Sequence, residues 1–358
     1  MKKRILFCAL ATLFVSCGDS HFGEELLKEI KEHEPLTNNK KMNTFSGRPV
    51  VFYNVENLFD IKNDPRTNDE DFTPHGYKQW DEERYETKLE RIEDALSEFQ
   101  QSPILIGLAE VENRAVLKDL VEEGDFDDTN YGIAHFDSPD RRGIDVALLY
   151  DQDAFELINS TKLRVRLANN PNFATRDILY VEGELTGGVK THVFVNHWSS
   201  RREGQRETEH KRIEAAETLR EKVDEILRLD EDANIIILGD FNDHPTDKSL
   251  QTILRAKESG FAGEGDLINL LFDEHVNGEG TAVHQGDWAV LDQIIISQAI
   301  YDNRSGLGIR GNDAEIHWED DLIFKNRSTG QEKPNATYGG RKYYGGYSDH
   351  LPVYIILK

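Results

Sequence analysis

An acidic residue and an amide follow a strongly apolar run in the second half of the chain. The run Asn234–Leu238 reads NIIIL, and Gly239, Asp240 and Asn242 lie just beyond it. Side chains alternate along a strand, so Asp240 and Asn242 would point to the same side and could meet one water molecule or one phosphate. A turn that ends a strand favours the same residue types for backbone reasons alone. The segment therefore predicts either a plain turn or half of a site for phosphate chemistry.

A second polar pair precedes the last apolar run of the chain. Asp349 and His350 stand just before Val353–Leu357. An acid beside a histidine offers a ligand for a metal ion or a water, next to a group that can take a proton or stabilise phosphate. A capped turn before the final strand is the alternative. The chemical interpretation requires that this pair and the first cluster meet in the fold.

Polar residues end several other apolar runs as well. Asn54 and Glu56 follow VVFY, Glu110 follows ILIGLA, and His197 follows VFVN. Ligand sites are usually assembled at one edge of a sheet, where loops leave the strands. The pattern predicts one shared site.

The elements that must position these residues alternate between strands and helices. Apolar residues recur at three and four spacings in Glu83–Glu98 and in Arg206–Leu229, which indicates two helices. Eight apolar runs have the length of strands: Val50–Tyr53, Ile104–Ala109, Val146–Tyr150, Ile178–Val181, His192–Asn196, Asn234–Leu238, Val290–Ile296 and Val353–Leu357. No linker-like shift in composition interrupts residues 48–358, so we expect one mixed α/β domain there.

The amino-terminal residues have the pattern of a bacterial export signal. Basic residues precede an apolar run, and Ser16 then comes before Cys17. The sequence FVSC resembles a bacterial lipobox, whose cysteine is lipidated after cleavage. We therefore expect a lipoprotein signal peptide at residues 1–16 and a polar tether at 17–47 that begins with lipidated Cys17. An ordinary secretory signal with an incidental cysteine is the alternative.

The charge of the chain restricts its partners. The formal net charge is −25, from 67 acidic and 42 basic residues. Nonspecific affinity for nucleic acid comes mainly from Lys and Arg at phosphates, so the composition argues against tight binding to a duplex without metal. The lipid anchor would connect the protein to a membrane outside the cytoplasm, at the outer membrane or cell surface.

Six ordered segments carry a resemblance to a known family. They read YNVENLFD, ILIGLAEVEN, VNHW, ILGDFNDHP, LDQIIIS and YSDHLPV. In this order and separation they resemble the endonuclease/exonuclease/phosphatase superfamily, which includes pancreatic-type deoxyribonucleases, inositol phosphatases and neutral sphingomyelinases. The resemblance covers about residues 50–353. It implies the DNase I-like four-layer fold, in which helices flank a two-sheet β-sandwich.

The resemblance also implies catalytic roles. Asp240 matches the acid that aligns or deprotonates the attacking water, and Asn242 would hydrogen-bond this acid or the phosphate. His350 would bind the negative charge that develops on the phosphate, while Asp292 orients it and fixes its tautomer. His197 would support phosphate charge or assist the leaving oxygen.

The remaining implied roles concern the phosphate and a metal ion. Asn54 would contact the scissile phosphate or the catalytic acid. Glu110 matches the principal metal ligand, and Asp349 would reach the metal site. Glu56 stands where some members carry a second acidic metal-site residue. Hard carboxylate oxygens suit Mg²⁺, with Mn²⁺ as the alternative.

Three further residues are candidates for substrate contact. Arg142 lies in a basic turn before a strand, and Arg201 follows His197 closely. Guanidinium groups suit phosphate recognition, although arginines paired with neighbouring acids would explain them equally well. Asn196, beside His197, is the third candidate.

The sequence thus predicts a metal-dependent phosphodiester hydrolase, foremost an extracytoplasmic endonuclease that acts on DNA or RNA. A phosphatase or phospholipase C-type hydrolase on inositol phosphate or sphingomyelin-like headgroups is the second hypothesis, since a fold cannot separate these substrates. A surface binding protein without activity is the third, but the acids and the histidine that such a protein would lack are present. No protein partner is implied.

Overall fold

The computed structural model describes residues 45–284 and 286–358. The predicted signal peptide, Cys17 and most of the tether lie outside the described residues. The strands, in chain order, are β1 (Pro49–Leu58), β2 (Leu105–Val111), β3 (Tyr131–His135), β4 (Asp145–Asp151), β5 (Phe155–Leu163), β6 (Ile178–Leu185), β7 (Val189–His197), β8 (Asn234–Asp240), β9 (Ala256–Lys257), β10 (Leu267–Asn269), β11 (Ala282–His284), β12 (Asp287–Ala289), β13 (Asp292–Ser297), β14 (Glu315–Ile316), β15 (Ile323–Lys325), β16 (Glu332–Pro334), β17 (Tyr338–Gly339), β18 (Lys342–Tyr343) and β19 (Val353–Ile356).

The α-helices of the described chain are α1 (Glu82–Ser97), α2 (Arg114–Val121), α3 (Gln205–Leu229), α4 (Phe272–Asn277) and α5 (Gln298–Tyr301). Local capping explains where the first two begin. The side chain of Asp81 accepts the N–H of Arg84, and that of Asn113 accepts two N–H groups in the first turn of α2. These bonds satisfy donors that a helix start leaves without partners. None of the helices in residues 45–284 and 286–358 has the length and apolar character needed to cross a bilayer.

Two large sheets contain most of the strands. The first sheet has the order β14-β19-β1-β2-β4-β3, and the second has the order β5-β6-β7-β8-β13-β10-β9. Within them β1 and β2 run parallel, as do β7 and β8. Each of these two pairs is joined through a helix, as a parallel connection requires.

Alternation along the central strands builds the layers. In β1, Val50 and Phe52 pack between the two sheets, whereas Val51 and Tyr53 pack in the cluster that contains the apolar face of α1. In β8, alternate residues likewise divide between the inter-sheet core and the cluster under α3. The order is therefore helix, sheet, sheet, helix. This confirms the predicted two-sheet β-sandwich flanked by helices.

The folded domain begins slightly earlier than the sequence indicated. Phe45 is 1% exposed and belongs to the core between the sheets. The N–H of Gly47 donates to the carbonyl of Leu357 over 2.8 Å, next to the last strand. Residues 45–47, which were assigned to the tether, are thus part of the domain because their ring and backbone complete the edge of its core.

Candidate active site

The predicted residues meet at one edge of the sandwich. His197 and Asp240 end β7 and β8 and are direct partners in the parallel register. Asp292 opens β13 opposite Asp240. In the first sheet, Asn54 pairs with the residue before Glu110. Because parallel strands bring their carboxyl ends to the same edge, side chains distant in sequence become neighbours.

Asp240 is a deeply buried carboxyl group of this site, with 2% of the residue exposed. Asn54 donates from Nδ2 to its Oδ2 over 3.1 Å, and the N–H of Asn242 donates to its Oδ1 over 2.9 Å. Burial raises the pKa of Asp240 to about 7, although the charge of His350 acts in the opposite direction. A carboxyl group with this pKa can exchange a proton near neutral pH.

His350 is held by a second buried acid. Its Nδ1 lies 2.6 Å from Oδ2 of Asp292, which also accepts the hydroxyl of Thr281 over 2.5 Å. Burial alone lowers the pKa of His350, but the charge of Asp292, its hydrogen bond and the charges of Asp240 and Asp349 raise this pKa well above the ordinary histidine value. His350 therefore stays protonated. Its Nε2–H is available to bind an anionic oxygen.

The pKa of His197 is shifted in the opposite direction. Burial, reinforced by the charges of Arg176 and Arg142, lowers its pKa well below the ordinary value. Its Nε2 lies 3.5 Å from Oδ2 of Asp240 and 3.8 Å from Oε1 of Glu110. Its buried Nδ1 has no hydrogen-bond partner among the described residues. A neutral imidazole with Nε2–H towards the carboxylates satisfies these distances.

Glu110 presents a carboxylate oxygen to the same space. Its backbone is left-handed, with φ 66°, where the register between β2 and β4 shifts. The N–H of Asn57 donates to Oε2 over 3.1 Å, while Oε1 lies 4.0 Å from the guanidinium of Arg142. Asp349 adds a second carboxylate, and its side chain is 59% exposed. These hard oxygen donors fit a divalent ion such as Mg²⁺ or Mn²⁺.

The site is a cavity of about 710 Å³. Most of the residues predicted from the sequence line it: Asn54, Glu110, Arg142, His197, Arg201, Asp240, Asn242, Asp349 and His350. Asp292 lies behind His350. The amide of Asn242 donates to the carbonyl of Trp198 over 3.0 Å, so this residue supports Asp240 through its backbone.

Comparison with known proteins places this geometry in a family. Residues 49–358 match the family described as the Endonuclease/Exonuclease/phosphatase family. The chain belongs to this family. Members are metal-dependent phosphoesterases by fold, and the carboxylates of Glu110 and Asp349 at the cavity agree with that chemistry. None of the curated proteins matches the sequence.

Solved structures share the fold at low identity. The human Nocturnin catalytic domain with bound sulfate is 17% identical, with a TM-score of 0.51, and the match covers 87% of this chain and 96% of that one. The mannosyl-6-phosphatase Bt3783 of Bacteroides thetaiotaomicron is 17% identical, with a TM-score of 0.52, and the match covers 87% of this chain and 99% of that one. TDP2 of D. rerio, complexed with single strand DNA product, is 14% identical, with a TM-score of 0.51, and the match covers 87% of this chain and 98% of that one. At these identities the likeness shows the fold alone.

Glu56, which was predicted to lie at the metal site, does not line the cavity. Both oxygens of Glu56 accept backbone N–H groups, from Thr337 over 2.6 Å and from Tyr338 over 3.0 Å. Glu56 and Asn57 are both left-handed, so the chain bulges after Asn54 and turns the Glu56 side chain away from the cavity. Glu56 is therefore corrected to a residue that anchors the segment before Ser348-Asp349-His350.

Two predicted substrate contacts are corrected in the same way. Asn196 is fully buried, where its Nδ2 donates to the carbonyl of Leu238 and its Oδ1 accepts Trp198 Nε1. Arg201 lines the cavity, but its guanidinium binds Asp243 over 3.1 Å and Asp247 over 2.7 Å. Both side chains stabilise the protein structure around the cavity. Arg142, 42% exposed, remains a predicted contact for phosphate.

Sequence reasoning missed two residues that shape the site. Arg176 is buried, donates to the carbonyl of His197 over 3.1 Å and pairs with Asp140 over 3.1 Å. Its only signal was a charged residue just before an apolar run. Thr281, which binds Asp292, lies in a loop before β11 and gave no signal at all.

Proposed function

We propose that this protein is a divalent-metal-dependent phosphodiesterase that cleaves nucleic acid strands. The observation that supports this most directly is the 2.6 Å contact between Nδ1 of His350 and Oδ2 of Asp292, in the same cavity as buried Asp240. A phosphate in this cavity would meet a proton donor, a carboxyl group able to take a proton, and the metal-binding carboxylates of Glu110 and Asp349.

Each side chain then has one task in the hydrolysis. The ionised Asp240, fixed by Asn54, accepts a proton from the attacking water as its oxygen bonds to phosphorus. His350 donates Nε2–H to a nonbridging oxygen, where negative charge accumulates. The bond from phosphorus to the leaving sugar oxygen breaks, and this oxygen takes a proton from solvent, while Nε2–H of His197, 3.5 Å from Oδ2 of Asp240, would stabilise its negative charge. A divalent ion at Glu110 and Asp349 supplies further positive charge when bound.

Hydrolysis by residues 43–358 tests the proposal. Bis-p-nitrophenyl phosphate, single-stranded DNA, RNA, plasmid DNA and inositol phosphates are incubated with Mg²⁺, Mn²⁺ or chelator. Asp240→Asn and His350→Gln should each lower kcat by about 10²- to 10⁴-fold, the usual contribution of acid–base groups. Glu231→Gln is the matched control, because this exposed acid lies in the loop before β8, at the other end of that strand from Asp240.

Three outcomes would change the conclusion. Activity confined to phosphate monoesters or to lipid and inositol headgroups would assign the same residues to the phosphatase or phospholipase C-type alternative. Full activity in chelator would contradict metal dependence. If both variants keep full activity, Asp240 and His350 do not have these catalytic roles.

We also propose that Cys17 anchors the protein to a membrane outside the cytoplasm. The proposal is supported by the basic and apolar residues before FVSC and by the polar residues that follow. Expression in bacteria with radiolabelled palmitate should label the full chain, and Cys17→Ser should abolish both the label and the membrane fraction. Equal labelling of the two proteins would contradict the anchor.

A further inference from the structure

The catalytic cavity has two chemically different flanks. One flank is formed by residues 199–203 of the connection between β7 and α3, together with Gln205 and Lys211 from α3. It adjoins the catalytic residues at Asn242, whose carbonyl accepts the guanidinium of Arg201. The other flank is formed by the hairpin of β11 and β12. It adjoins them at His350, which forms a β-bridge with Ala282.

The first flank carries cationic side chains, and one of its guanidinium groups has no ion-pair partner among the described residues. Arg201 is neutralised by Asp243 and Asp247, and Lys211 pairs with Glu203 over 2.8 Å. Arg202 lines the cavity and is exposed, and within residues 45–284 and 286–358 it has no hydrogen bond or ion pair. A free guanidinium beside a phosphodiester site suits the next phosphate of a strand.

The second flank is aromatic. Trp288 lines the cavity and is half-buried, and its ring packs on Trp318 with centroids 5.0 Å apart and planes at 45°. This contact packs one side of the indole against the protein. Rigid aromatic rings bind unpaired bases by stacking, without regard to sequence.

We propose that the cavity takes a single-stranded nucleic acid, with a base stacked on Trp288 and the phosphate beyond the scissile one bound by Arg202. This inference rests on the proposed phosphodiesterase activity. A paired base would have no face to offer Trp288, and a chain with a net charge of −25 repels an extended duplex. A cavity of about 710 Å³ has room for a short segment of strand.

Two substrates separate the flanks experimentally. Thymidine 5′-monophosphate p-nitrophenyl ester has one base and one phosphate, whereas an oligothymidylate also has the neighbouring phosphates. Trp288→Ala should raise KM about 5- to 100-fold for both, as loss of one stacked base implies, and Trp288→Phe should restore most of it. Arg202→Ala should raise KM for the oligonucleotide only. Bis-p-nitrophenyl phosphate should be hydrolysed equally by all four proteins.

Salt dependence gives an independent readout for Arg202. Loss of one phosphate contact should reduce the slope of log(kcat/KM) against log salt by about 0.7 for a single strand. Arg206→Ala, an exposed arginine on α3 that does not line the cavity, is the matched control, and Phe261→Ala is the control for an exposed aromatic ring. Neither control should change KM or slope.

The results can overturn this inference without touching the proposed function. If the wild type cleaves bis-p-nitrophenyl phosphate but Trp288→Ala and Arg202→Ala leave oligonucleotide KM and salt slope unchanged, the two-flank binding mode is refuted. Fluorescence anisotropy of labelled oligothymidylate on Asp240→Asn measures the same contacts without turnover. An inactive wild type that binds through Trp288 and Arg202 would instead retain the binding mode and refute the phosphodiesterase. Preference for duplex would refute the single-strand assignment.

Discussion

Replacing Asp292 with Asn isolates the partner that makes His350 an acid. The substitution keeps the shape of a buried side chain but removes the charge that lies 2.6 Å from Nδ1 of His350. A hydrogen bond to a charged group contributes about 1.5–3 kcal/mol. The pKa of His350 should fall, because the charge of Asp292 is the main cause that raises it. If only this energy is lost in the transition state, kcat falls about 10- to 150-fold.

The pH dependence of kcat tests this effect. The protonated histidine is the active form, so the alkaline limb of the kcat profile for bis-p-nitrophenyl phosphate should move to lower pH in Asp292→Asn. The folded-state pKa of His350 lies above its unfolded value, so the pair stabilises the fold at low pH, and this contribution is lost as pH rises through the folded pKa. Nitrogen NMR of labelled histidine should show that His350 loses its proton at lower pH in the variant than in the wild type.

A double variant separates this effect from damage to the fold. In a His350→Gln background, Asp292→Asn should cause little further loss, because the two residues act as a unit. An unchanged alkaline limb, or losses that add in full, would refute the view that Asp292 works through His350. Thermal unfolding of each variant shows whether the protein remains folded.

Three other changes have expected outcomes. Asn54→Ala removes a hydrogen bond that lowers the pKa of Asp240, so the acidic limb of the kcat profile should move to higher pH; a shift to lower pH would contradict this. Lys88→Met should destabilise the fold by about 3–5 kcal/mol in urea unfolding, because it leaves Glu56 buried without its cation, and Glu56→Gln in the same chain should recover part of the loss. A chain that begins at residue 48 should unfold more easily than one that begins at residue 43, by about 3–5 kcal/mol, because the Phe45 ring fills the core. Equal urea midpoints would contradict that boundary.

The fold was predictable wherever strands are buried on both faces. β1, β2, β7 and β8 each contain consecutive buried residues that are mostly apolar, since the inter-sheet core and the helical layers each cover one side. The edge strand β5 was missed because it is largely exposed and its sequence, FELINSTKL, is mostly polar. At an edge, backbone pairing with one neighbour forms the strand, and the side chains carry little signal.

The site was predictable to the extent that strand ends determine position. Asp240, His197 and Asn54 were placed correctly at one edge because each follows an apolar run directly. Glu56 was misplaced because the chain leaves the regular strand after Asn54, and two left-handed residues redirect the side chain. Alternation predicts direction only within a regular strand. The orientation of a residue in a bulge depends on contacts that lie far away in sequence, here the N–H groups of Thr337 and Tyr338.

The two histidines of the cavity show why the residue type alone did not determine the chemistry. Both are buried, and burial lowers the pKa of each. His350 has a carboxylate at 2.6 Å, whereas His197 lies close to the charges of Arg176 and Arg142. One imidazole is therefore kept protonated and the other neutral within a single cavity. Only the protonated ring can add a full positive charge beside a bound phosphate. If His350 had the neighbours of His197, it would no longer be an acid, although its residue type would be the same.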